Sequence, residues 1–145
     1  MAIPMRAFLG FIAAAISVLI FHQGTVAALH AFGLTPSGAY RTTPIPPFNL
    51  PLIADLCFWG GLYGLVFGVL LPRFTWPLWL CGLIMGVIAA LVAMFIVAPL
   101  KGGAIANGWQ LWPIARSLLI NGIWGIGVGL ILPLLMPRSL VGVHT

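Results

Sequence analysis

PLWLCGLIMGVIAALVAMFIVAPL, the run from Pro77 to Leu100, carries no charge, no amide and no hydroxyl. A helix needs about 20 such residues to cross the hydrocarbon of a bilayer, and a membrane strand only about 10. Within that layer every backbone polar group must be satisfied internally, which a helix does alone. The run therefore reads as a transmembrane helix, and the chain around it repeats the pattern. Comparable apolar runs extend from about Ala7 to His30, from Leu52 to Leu71 and from Pro113 to Met136. The expected fold is an all-α integral membrane protein with four transmembrane helices in one domain, residues 1–145. Hairpin 1 covers residues about 7–73 and hairpin 2 residues about 77–138.

Composition excludes the main alternatives. Only 5% of residues are charged, against roughly 25% in soluble domains, so a soluble monomer is not expected. Six Lys+Arg face one Asp+Glu. The basic residues are scattered singly, with no stripe to neutralise successive phosphates, so nucleic acid is not an expected partner. Cys57 and Cys81 lie in different spans without a C-x-x-C motif, and read as inert thiols.

The connections differ in kind. FGLTPSGAYRTTPIPPFNLP, from Phe32 to Pro51, is rich in proline and should be extended or turned rather than helical. Pro72 to Trp76 is a tight turn, and Lys101 to Trp112 a medium loop containing Gly102, Gly103 and Gly108. A cleaved signal peptide is a weaker reading of the first span. Only Arg6 marks its basic region, and the apolar run exceeds the usual limit of about 15 residues.

WGGLYGLVFGVLLPR, from Trp59 to Arg73, aligns without a gap on WGIGVGLILPLLMPR, from Trp124 to Arg138. Matches include Trp59/Trp124, Gly60/Gly125, Gly64/Gly129 and the closing Pro-Arg. A weaker echo joins GFIAA from Gly10 to GVIAA from Gly86. These matches suggest tandem duplication of a helical hairpin, a parallel repeat about an axis along the membrane normal. Gly60, Gly64 and Gly68 are spaced by four, as are Gly125 and Gly129, a pattern that lets membrane helices approach closely. The second and fourth spans are expected to meet through these glycine faces.

Arg6, Arg73 and Arg138 fall on one side, while Arg41 and Lys101 fall on the other. Excess Lys and Arg marks the cytoplasm. Both termini are thus expected inside a cell membrane, a bacterial inner membrane, with the Pro-rich loop outside.

Polar residues are costly within the bilayer and therefore informative. His22, Gln23, Thr25 and His30 occupy the outer half of the first span, Asp55 the first turn of the second, and Arg116 and Asn121 the start of the fourth. The inner half offers only Ser17 and Thr75. A candidate outward pocket of His22, Gln23, Asp55, Arg116 and Asn121 follows. Asp55, the only acidic residue, is either a first-turn carboxylate favoured by the helix dipole or an ion-pair partner of Arg116 at equal depth. His30 and Arg41 are assigned to the interface. The first helix should show two faces. Ala14, Ser17, Gly24, Ala28 and Ala31 lie within roughly 60° of Gly10 around the helix, while His22, Gln23 and His30 point away from that stripe. The polar face then calls for an oligomer contact or for cover by the outer loop.

Chemistry is sparse. His22 and His30 are about 12 Å apart along one helix and cannot share an ion, and His144 is at the opposite end, so no metal or other cofactor is expected. Ser17, Ser117 and Ser139 have no His/Asp set at matching depth, and no carboxylate pair or phosphate loop exists, so an enzyme is not expected. The leading reading is a non-enzymatic accessory or homo-oligomeric subunit with a one-sided polar pocket. The alternatives are a transporter or channel subunit for an ion or small solute, and a quinone- or haem-associated redox subunit.

Overall fold

The computed structural model describes residues 1–137; Arg138, Ser139 and His144 lie outside them. Four apolar helices are long enough to cross a membrane: α1 (Ile3–Ala31), α2 (Leu52–Arg73), α3 (Leu78–Leu100) and α4 (Leu111–Leu135). This is the expected all-α, multi-pass membrane architecture. Several prolines stand at helix starts, where their missing N–H costs nothing, while Pro133 lies inside α4. Pro51 and Pro77 stand in extended conformation just before α2 and α3, and Pro113 lies in the first turn of α4. Residues 32–51 form no helix, as their prolines dictate. They close through a small antiparallel pair, β1 (Pro44–Ile45) with β2 (Leu50–Pro51). In the loop after α3, Ala106, Asn107, Gly108 and Trp109 all take positive φ, a left-handed turn that turns the chain back towards α4.

Each hairpin is held by backbone contact. In hairpin 1 a Cβ on Gly10 would overlap the Gly64 carbonyl, and one on Gly64 would overlap the Gly10 carbonyl and Ala14. In hairpin 2 Gly82 and Gly125 face each other in the same reciprocal way. Lipid supplies no hydrophobic drive between helices, so such close crossings provide the dispersion contact that holds them.

The expected glycine-to-glycine packing of α2 on α4 is therefore incorrect. Gly64 is used against α1, and Gly129 against Leu78 and Trp79 of α3. Helices α2 and α4 instead meet through side chains. Gly60 abuts the Trp124 indole, and Tyr63 stacks edge-on to Trp124 at 6.1 Å.

The hairpins dock mainly through α1 on α4. Ser17 Oγ donates to the Trp124 carbonyl at 2.6 Å, and Trp124 Nε1 donates to the Ala14 carbonyl at 3.1 Å. Gly127 leaves room for Ser17 and Phe21. Around this clamp Ala13, Ala14, Val18, Phe67, Val128 and Leu132 are buried. Phe8, Ile20, Val66, Ile88, Ile96 and Leu134 point outward, as expected where the solvent is hydrocarbon. Trp112 Nε1 donates to the Leu34 carbonyl at 3.1 Å, which ties the start of α4 to the Pro-rich loop and places both loops at one end of the bundle.

Two helices carry a π-helical turn: Val18–His22 in α1 and Ala93–Val97 in α3. Each inserts one residue into the helical ladder and so shifts everything beyond it by roughly 100°. The small stripe of α1 is cut there. Gly10, Ala14 and Ser17 are buried, but Gly24 has nothing within 4 Å of its would-be Cβ, and Ala28 and Ala31 are exposed.

Candidate functional site

Helices α2 and α3 are joined by a tight turn yet touch each other sparsely. Between them, in the loop half of the bundle, lies a cavity of about 460 Å³. That volume is in the range that accommodates small organic ligands. Its walls are Asp55, Leu56, Trp59 and Tyr63 from α2, and Val92, Ala93 and Val97 from α3. Val18, His22, Asn121 and Trp124 of α1 and α4 close it behind, while Pro46, Pro47 and Phe48 of the loop cover it.

Both π turns border this space. Val18 and His22 are the first and last residues of one, Ala93 and Val97 of the other, and all four line the cavity. Such turns recur at functional sites because they re-aim side chains that a regular helix would place elsewhere. Side-chain donors also reach carbonyls of the first turn. Thr25 Oγ1 donates to Phe21 O at 2.7 Å, and the Tyr40 hydroxyl donates to Leu19 O at 2.7 Å.

Of the expected pocket residues, the structure brings together His22, Asp55 and Asn121. Gln23 lies next to His22, buried at 4% exposure, and acts behind the wall. Its Oε1 accepts from the Tyr40 backbone N–H at 2.6 Å. That donor cannot reverse, so the amide orientation is set and Gln23 Nε2 faces His22 Nδ1 at 3.0 Å. An amide N–H only donates, so Nδ1 accepts and the His22 proton resides on Nε2. The polar face of α1 is thus covered at Gln23 by the long loop, one of the two outcomes foreseen.

Arg116 is not among the residues around the cavity, and the expected Asp55–Arg116 ion pair is not formed. No Lys or Arg nitrogen lies within 4.0 Å of an acidic oxygen among the described residues. Equal depth is a poor guide because α1 packs against both α2 and α4, and Asp55 lines a cavity whose lining does not include Arg116. Asn121 Nδ2 donates to the Ser117 carbonyl at 2.9 Å. His30 is exposed, its Nδ1 3.0 Å from the Thr35 carbonyl, and Arg41 bonds Ser37 Oγ at 3.3 Å. His30, in the last turn of α1, and Arg41, in the loop, are not among the cavity residues. Cys57 and Cys81 are free thiols in different helices.

Sequence reasoning missed Lys101, Trp59, Tyr63 and Trp124 as cavity residues. By sequence Lys101 marks only sidedness. Trp59 and Trp124 occupy matched positions of the two aligned stretches, and that match is a usable signal. The π turns have no signal in residue type: VLIFH and AMFIV are ordinary apolar text.

The arrangement offers one carboxylate, one ammonium, an imidazole N–H, the Asn121 amide and an aromatic wall, around a largely apolar space. It can bind and orient a molecule. Comparison of the chain with protein-family models, with curated proteins and with solved structures finds no match.

Proposed function

We propose that this multi-pass membrane protein is a non-enzymatic subunit that holds a small amphipathic molecule in the cavity between α2 and α3. It acts as an accessory or homo-oligomeric component of a membrane assembly, with the cavity opening towards the outer side and both termini in the cytoplasm. One observation carries the reading: the cavity is confined to the loop half. Below it the bundle is filled by the Ser17–Trp124 clamp and by Phe67, Val128 and Leu132. A conduction path needs polar groups or openings through the whole depth, which favours a binding role over transport. Absence of a nucleophile–base pair around the cavity favours a non-catalytic one.

The test is retention of a bound molecule. Purified wild-type protein should carry a small amphiphile detectable by mass spectrometry after extraction. Ala93→Trp, at an exposed position on the cavity wall, should lose it while keeping helical content and monodispersity. In proteoliposomes the wild type should give no solute flux above empty vesicles. Flux abolished by Asp55→Asn would replace the binding role with a transporter, and a visible haem or quinone spectrum would replace it with a redox subunit.

A further inference from the structure

We propose that the molecule held in the cavity is a zwitterionic phospholipid, with its ammonium at Asp55, its phosphate at Lys101 and an acyl chain in the gap between α2 and α3. The proposal rests on the ligand-holding role above and names the ligand.

Charge complementarity carries it. Asp55 is the only acidic residue of the chain, and it faces the cavity. Neither an ion pair nor a side-chain hydrogen bond holds it among the described residues. A carboxylate bordering an apolar space is costly unless a positive group comes to it. Lys101 lines the same cavity but does not come within 4.0 Å of Asp55. A ligand that satisfies both must therefore carry both signs, held apart from each other. The phospho-ammonium headgroup has that character. Trp59, about one helical turn from Asp55, adds an aromatic face suited to an ammonium. His22 adds a donor for a phosphate oxygen, because Gln23 and the Tyr40 amide leave its proton on Nε2.

A free zwitterion would match the charges but not the walls. Leu56, Val92, Ala93 and Val97 make most of the remaining lining apolar, with the Asn121 amide a further polar side chain there. The outer faces of the same two helices carry Phe58, Val66, Ile96 and Leu100 exposed, so the gap between them is bordered by lipid. A chain entering sideways from the bilayer keeps its headgroup at the loop end, where Asp55 and Lys101 stand.

The experiment uses the full chain, delipidated in detergent, with native mass spectrometry and thermal unfolding. Probes are phosphatidylethanolamine, phosphatidylglycerol of the same chains, and free phosphoethanolamine. Phosphatidylethanolamine should give a single bound lipid and raise the Tm. Phosphatidylglycerol should bind about tenfold more weakly, the effect of one lost charge-assisted hydrogen bond. Asp55→Asn should erase that preference, and Lys101→Gln should weaken both lipids. Equal binding of the two lipids by wild type, or a preference that survives Asp55→Asn, overturns the headgroup assignment. An equal Tm shift from phosphoethanolamine alone overturns the lipid as the source. In each of these cases loss of binding in Ala93→Trp would leave the ligand-holding role intact. Lipid binding unaltered by Ala93→Trp overturns that role and the lipid assignment together.

Discussion

Hairpin 1 and hairpin 2 are built alike and crossed differently. Each has a π turn in its first helix, a glycine series in its second and a reciprocal Gly–Gly contact between the two. By sequence, Gly60 matches Gly125 and Gly64 matches Gly129. Yet hairpin 1 crosses at Gly64 and hairpin 2 at Gly125, one helical turn apart on the aligned text. The slip frees Gly60 from backbone contact. It faces Val18, the Trp124 indole and the cavity. Matched glycines can therefore serve unlike ends: Gly125 is needed so that two backbones can touch, while Gly60 makes room for a side chain and a ligand.

The largest expected effect tests that distinction directly. A methyl at Gly125 meets the Gly82 carbonyl, whereas a methyl at Gly60 meets side chains, Val18 Cγ2 at 2.8 Å and the Trp124 indole at 3.4 Å, rather than backbone. Gly125→Ala should lower stability by about 3 kcal/mol, the upper end of overpacking costs, and Gly60→Ala by about 1 kcal/mol or less. Thermal unfolding in detergent reads both, and equal losses would mean that the two hairpins cross alike.

The two matched tryptophans should separate next. Trp124 is 2% exposed and bonded to Ala14, while Trp59 is 54% exposed. Trp124→Phe leaves the Ala14 carbonyl without that donor and should cost about 2 kcal/mol. Trp59→Phe should stay within about 0.5 kcal/mol, as surface changes do. Comparable destabilisation by the two changes would contradict the docking of α1 on α4 through Trp124.

The loops differ as the helices do. That of hairpin 1 is anchored on α1 through Tyr40, and the shorter loop of hairpin 2 relies on its own left-handed turn and an Asn107 bond to Pro113. Gln23→Leu should cost about 1 kcal/mol through the lost bond. It should also speed hydrogen exchange at the Tyr40 amide, with no change around Asn107. Unchanged exchange at Tyr40 would show that the loop is held by other contacts.

The smallest expected effect concerns the charges. Asp55→Asn and Arg116→Gln should add within about 0.5 kcal/mol in a double-mutant cycle, as for residues that share no contact. A coupling well above that would restore the ion pair that depth alone suggested.

Much of the architecture was legible before any coordinates. Unbroken apolar runs the length of a bilayer admit only helices, so the four spans and the non-helical Pro-rich loop were determined locally, close to their observed bounds. The loop-end placement of His22, Asp55 and Asn121 was legible too, because depth follows from counting residues along a helix. Which neighbour each face meets was not determined there. A glycine series says that something comes close without saying what, and the angular map of α1 assumed a regular helix that the Val18–His22 turn interrupts. That turn rotates the far half of α1, buries Gln23 under Tyr40 and leaves Ala28 and Ala31 exposed. Equal depth for Asp55 and Arg116 likewise said nothing of azimuth. Azimuth and crossing point depend on contacts between segments far apart in the chain, such as Ser17 with Trp124, and only the tertiary structure decides them.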